Sequence, residues 1–270
     1  MPFTLSHAAA ALPFGKFKPI WPALVIGTFA PDLQYFIWIS DEDRSGHHFP
    51  GVLLFSLPLA LLLLWLFEWC VKGAVIELLP DAVERRLQDK VRPLSFWGWR
   101  RLAAIVMWIV IGIATHVFWD WFTHGRTWIT ARWAVFTEKV PVPFHSPMAV
   151  AKILQHGSTV VGLLVLAAWC VAWYRRTPPM PRADVRQLSS SRKVTVVFIL
   201  VVVAVLAGYP LAIYRLADHP LPLNPLLFIV TVFEATTLIF CVQVLIYGLA
   251  RSYTARSRRI PVVRLNGPSR

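Results

Sequence analysis

Val194–Tyr214 reads VTVVFILVVVAVLAGYPLAIY, 21 residues without a charge. A helix rises about 1.5 Å per residue, so a run of this length covers the roughly 30 Å hydrocarbon layer of a bilayer. Four further stretches read the same way: Gly51–Val71, Leu102–Phe122, Ile153–Tyr174 and Pro225–Ala250. Composition agrees. The chain is 57% hydrophobic and 15% charged, against roughly 25% charged in an ordinary soluble domain, and its mean hydropathy is +0.58. So much apolar surface needs lipid, or a larger core than 270 residues can build. The expected fold is all-α, a polytopic transmembrane helix bundle of about five spans.

The formal net charge of +13 is distributed unevenly. Lys72, Arg85, Arg86, Lys90, Arg92, Arg100 and Arg101 follow the first span; Arg175, Arg176, Arg182, Arg186, Arg192 and Lys193 follow the third; Arg251, Arg256, Arg258, Arg259, Arg264 and Arg270 form the tail. Leu216–Asn224 has no Lys or Arg, and Thr123–Lys152 spreads four over a longer stretch. Basic residues flanking apolar runs mark the cytoplasmic side and anionic headgroups as partners, which argues against a nucleic-acid partner. The expectation is a multi-pass protein of the inner (plasma) membrane with a cytoplasmic C-terminus. Asp41–Pro50, Thr123–Lys152 and Leu216–Asn224 then lie outside.

Within a single integral membrane domain, 1–270, the layout is a hairpin and outer loop (1–50), three spans (51–174), a cytoplasmic linker (175–193), two spans (194–250) and a basic tail (251–270). Pro178, Pro179 and Pro181 mark the linker as flexible. Leu79, Val83, Leu87 and Val91 suit an amphipathic surface helix or a solvated helical linker. Cys70, Cys170 and Cys241 are odd in number and sit in apolar runs, so no disulfide framework is expected. Met1–Phe14 lacks a basic leader and reads as part of the mature protein.

The first forty residues allow two arrangements. Thr4–Phe14 is apolar with Thr4 or Ser6 available as an N-cap, Pro13, Gly15 and Pro19 mark a turn, and Ile20–Ala30 is apolar again before Pro31-Asp32. Either Ile20–Ile39 is a sixth crossing with Asp32 in lipid, or two short helices form a re-entrant hairpin dipping from the outer side. The hairpin is favoured because it avoids a lone carboxylate in hydrocarbon, which costs ~2.5–3.5 kcal/mol or more. It must pack among the spans.

Ionisable groups in apolar spans are candidates for function. His116, Asp120 and His124 fall at i, i+4 and i+8 on one helical face, flanked by Trp119 and Trp121. His47 and His48 precede the first span on the same side, His145 lies in the outer loop, and His156 starts the third span. Imidazole and carboxylate at helical spacing suit a divalent metal, foremost zinc. Hydrogen bonding of His116 and Asp120 to a neighbouring helix is the other reading. Arg126 and Arg132, with Trp128 and Trp133, suit either an anionic headgroup site or an interfacial anchor belt.

Pro2-Phe3-Thr4-Leu5-Ser6-His7, Gly27-Thr28-Phe29-Ala30-Pro31-Asp32, Gly46-His47-His48 and His116-x3-Asp120-x2-Thr123-His124 together resemble a bacterial membrane family, domain-of-unknown-function family 4184. The motif order is also similar to the membrane-bound metal-dependent hydrolases and, more distantly, to zinc-dependent phospholipase C. Carried over residue by residue, the resemblance implies His7, Asp32, His47 or His48, His116 and Asp120 as metal ligands, with His124 beside them. It departs from those hydrolases in the loop, which reads Gly46-His47-His48-Phe49, and from the phospholipase in lacking a later His-x3-Glu pair. The function implied is metal-dependent hydrolysis of a lipid or other ester at the extracytoplasmic face, with Asp32 or Asp120 as proton acceptor. The competing expectation is a non-enzymatic membrane protein, transporter-like or an assembly factor, whose His/Asp cluster is structural.

Overall fold

The computed structural model describes residues 4–17, 20–34, 50–125, 127–143, 145–181, 188–217 and 225–257. Among them, five helices are long and apolar enough to cross a membrane, in the five places that the apolar runs predict. We label the helices α1 (Trp21–Phe29), α2 (Val52–Leu78), α3 (Asp81–Leu87), α4 (Trp99–Thr123), α5 (Trp128–Arg132), α6 (Val150–Arg176), α7 (Ser190–Arg215) and α8 (Pro225–Ser257). The spans are α2, α4, α6, α7 and α8. A 3₁₀ helix, Thr4–Phe14, precedes α1.

α2 runs further than the apolar stretch Gly51–Val71. Two π-helical turns, Val52–Ser56 and Phe67–Val71, lie within it. The first sits directly ahead of Pro58, whose ring would otherwise collide with the carbonyl four residues back; a widened turn relieves that collision. α3 falls in the stretch that suits an amphipathic surface helix or a solvated helical linker; its Glu84 is buried and paired with Lys193. Residues 139–149, read as plain loop, form a short antiparallel pair, Lys139–Val142 with His145–Ala149.

The chain divides into two compact units, 1–65 with 94–179, and 66–93 with 180–270; the boundary falls inside α2. In the first unit, neither the 3₁₀ helix nor α1 is long enough to cross. They pack as a hairpin, with the Trp21 indole N–H donating to the Ala11 carbonyl at 2.7 Å. A 3₁₀ turn, Ala30–Asp32, follows α1 at once; α1 is not among the five long helices. Of the alternative arrangement, a sixth crossing over Ile20–Ile39, residues 35–39 lie outside the described residues.

Hairpin and span meet at two glycines. A Cβ on Gly27 would come within 2.3 Å of the Ile109 carbonyl oxygen, and one on Gly112 within 2.4 Å of the Leu24 carbonyl oxygen. Lipid tails supply little hydrophobic drive between helices, so small residues that admit close backbone approach decide where such helices pack. Leu24, Leu64, Ile105, Ile109 and Ile113 complete the core around this contact.

In the second unit, α7 and α8 pack where a Cβ on Gly208 would meet the Thr236 hydroxyl. Lys193 is buried and donates to the Leu79 carbonyl at 3.0 Å, to Asp81 at 2.7 Å and to Glu84. Arg251 pairs with Glu77. The three cysteines are free.

Candidate metal centre

The close contact of α1 with α4 fixes the site. It sets the Thr28 carbonyl 2.8 Å from His116 Nδ1. A carbonyl only accepts, so Nδ1 carries the proton and Nε2 is turned towards the carboxylates. That Nε2 lies 3.3 Å from an oxygen of Asp32 and 3.3 Å from an oxygen of Asp120. The Thr4 hydroxyl, expected as a helix cap, donates to the other Asp32 oxygen at 2.8 Å. His7 stacks on His116 with ring centroids 3.9 Å apart, and its Nε2 is 3.8 Å from Asp120. His124 Nδ1 lies 3.5 Å from the same Asp120 oxygen.

His116 is 0% exposed, Asp32 1%, Asp120 5% and His7 7%. Burial, with the neighbouring His116 imidazole, pushes His7 down to about 4, so it is neutral at pH 7 and offers a lone pair. Its Nε2 makes no hydrogen bond among the described residues although it is buried. Such an atom costs free energy comparable to a lost hydrogen bond, and a cation would satisfy it.

The donor set fits a divalent metal. One atom each from His7, His116 and Asp120 lies within 4.8 Å of the others. Zinc–ligand bonds of about 2.0–2.2 Å at tetrahedral angles place neighbouring ligand atoms about 3.3–3.6 Å apart; the His116–Asp120 pair stands at 3.3 Å. Two neutral imidazoles and two carboxylates with a divalent ion give a neutral cluster.

The structure brings together His7, Asp32, His116, Asp120 and His124. Asp32 reaches the triad through His116, and His124 through Asp120. His47, His48 and Arg126 lie outside the described residues. His156 is exposed on α6, and His145 is on the second strand. Arg132 stacks over the exposed Trp128 ring at 5.1 Å. Reading residue types for metal ligands passes over Thr4 and Thr28. Thr28 acts through its main chain, which no side-chain pattern reveals, although it sits inside the Gly27–Asp32 motif.

Fold and site together define a polytopic membrane-helix protein with a buried His/Asp centre between an N-terminal hairpin and a span. The chain belongs to the family described as Domain of unknown function (DUF4184), whose model matches residues 1–249. No curated protein and no solved structure matches it.

Proposed function

We propose that the protein is a metal-dependent hydrolase of the membrane, acting on a lipid or another phosphate or acyl ester at the extracytoplasmic face. The observation that carries this reading is the convergence of buried His7, His116 and Asp120 atoms, all within 4.8 Å of one another. His7, His116 and Asp120 would hold the ion, with Thr28 orienting His116 and Thr4 orienting Asp32. A bound ion of this kind polarises an ester oxygen and lowers the pKa of water. Asp32, tethered at one oxygen by Thr4, takes the proton of the attacking water and returns it to the leaving oxygen as the ester bond breaks. The run of Lys and Arg after α2, after α6 and at the tail supports a cytoplasmic side there. The α4 end bearing Asp120 and His124 then faces outward from the inner membrane.

A second reading has one observation in its favour: His116 Nε2 between two aspartates can be held by a proton, making the cluster a structural polar anchor. Elemental analysis of the purified protein, with a phosphoester and lipid-ester turnover panel, separates the two. Stoichiometric metal in wild type that is lost in His116→Ala, together with turnover lost in Asp32→Asn, supports the hydrolase. Metal without turnover supports the structural reading, and absence of metal from wild type overturns the site.

A further inference from the structure

An open groove of about 700 Å³ borders the centre at His7, walled by the 3₁₀ helix, α4 and α6. Its volume is that of a ligand site, for which about 300–1,000 Å³ is usual. Small residues hollow it out. Ala10 and Ala114 line it, and on α6 Gly162 lets the backbone approach so closely that a Cβ there would come within 2.9 Å of Ser6. Phe118, Val161 and Val165 supply the apolar walls, and all three are substantially exposed, so the groove is open along the spans.

Position decides what would enter. Along α4 the groove extends from Ile111 to Trp119. Ile111 is twelve residues from either end of Trp99–Thr123, so the groove starts at the middle of the span. Eight residues on, at about 1.5 Å each, it has risen about 12 Å, close to the roughly 15 Å that is half of a 30 Å hydrocarbon layer. It therefore covers one leaflet. Its inner half is apolar. Its outer half gains the Trp119 indole N–H bonded to the Ser158 hydroxyl at 3.1 Å, and the His7 ring. His7 is more than nine-tenths buried, and its Nε2 lacks a hydrogen bond among the described residues. One wall thus joins the groove directly to the candidate centre.

From this geometry we infer that the groove seats one acyl chain of a membrane lipid, lifted sideways from the bilayer, and presents the ester end beside His7. The inference rests on the hydrolase reading and narrows its substrate class to long-chain lipid esters, excluding small water-soluble ones. Apolar walls of one-leaflet length match a hydrocarbon tail, and the polar outer end matches the region where an ester joins tail to headgroup.

The test uses the full chain in phosphatidylcholine vesicles with a trace of phosphatidylglycerol carrying a diazirine at the end of one palmitoyl chain. After photolysis, peptides containing 111–119 and 158–165 should be labelled at least fivefold more than the 197–203 stretch of α7, whose Val197, Phe198, Ile199, Val201 and Val203 are exposed. Ala114→Trp, which fills the groove, should cut that excess at least fivefold, while Asp120→Asn should leave it intact. Val161→Trp serves as a second plug if Ala114→Trp does not fold. Equal labelling of the groove and α7 overturns the inference, as does an excess that both plugs leave unchanged. Metal content, measured on the same wild-type sample, reports separately on the hydrolase reading.

Discussion

His116 Nδ1 donates to the Thr28 carbonyl oxygen at 2.8 Å, linking positions 88 residues apart in the chain. The bond joins the hairpin to the span and aims the other ring nitrogen at two carboxylates. Asp32 is held similarly by the Thr4 hydroxyl of the 3₁₀ helix, so loss of either neighbour should be felt at the centre.

His116→Ala and Asp120→Ala should each lower bound divalent metal at least tenfold, measured by elemental analysis after purification. Outer partners of metal ligands are worth about 10–100-fold, so the ligands themselves set the lower bound. Unchanged metal in either variant would remove that residue from the site. Gel filtration in detergent, with an unaltered elution volume, shows that the fold survives.

Thr4→Val keeps the size of the side chain and removes its hydroxyl. With the bond to Asp32 gone, metal affinity should fall about tenfold, whereas Thr4→Ser should retain it. Competition against a chelator of known affinity measures both. Equal affinity in Val and Ser variants would show that the hydroxyl plays no part.

Gly27→Ala places a methyl group against the Ile109 main chain. Overpacking of this sort costs typically about 1–3 kcal/mol, and because Thr28 moves with it, metal should be lost as well. Gly157→Ala is the contrast: a Cβ there meets nothing within 4 Å, so the exposed helix should gain up to about 1 kcal/mol. Denaturant unfolding in micelles distinguishes them. Equal stabilities would mean that the α1–α4 contact is looser than described.

Lys193→Met should cost about 3–5 kcal/mol, since it strands the buried Glu84. Adding Glu84→Leu to the same chain should recover much of the loss. A double variant as unstable as the single one would assign the cost to packing and not to charge.

The spans were legible because their signal is additive: 21 uncharged residues in Val194–Tyr214 leave no other reading. His116, Asp120 and His124 were legible because helical periodicity alone puts them on one face. Convergence of His7 and Asp32 on that face followed from motif resemblance, not from periodicity, since the hairpin's packing depends on backbone contacts at Gly27 and Gly112. Burial of Glu84 was hidden for a similar reason. Its partner, Lys193, lies 109 residues away, and the local pattern of α3 is that of a solvated face. The short β-pair at 139–149 was masked by Pro141 and Pro147, which weaken a strand reading.

The order of the elements in the chain also has a consequence for synthesis. His7 and Asp32 leave the ribosome well before the helix they serve. Asp32 precedes His116 by 84 residues (116 − 32), and at about 5–20 residues per second the interval is about 4–17 s. During that time the hairpin has polar side chains and no partner for its glycine face. The hairpin is too short to cross a bilayer, and Gly27 meets its backbone partner at Ile109 only once α4 has been made. The centre is thus assembled in reverse, its earliest residues docking onto a later helix.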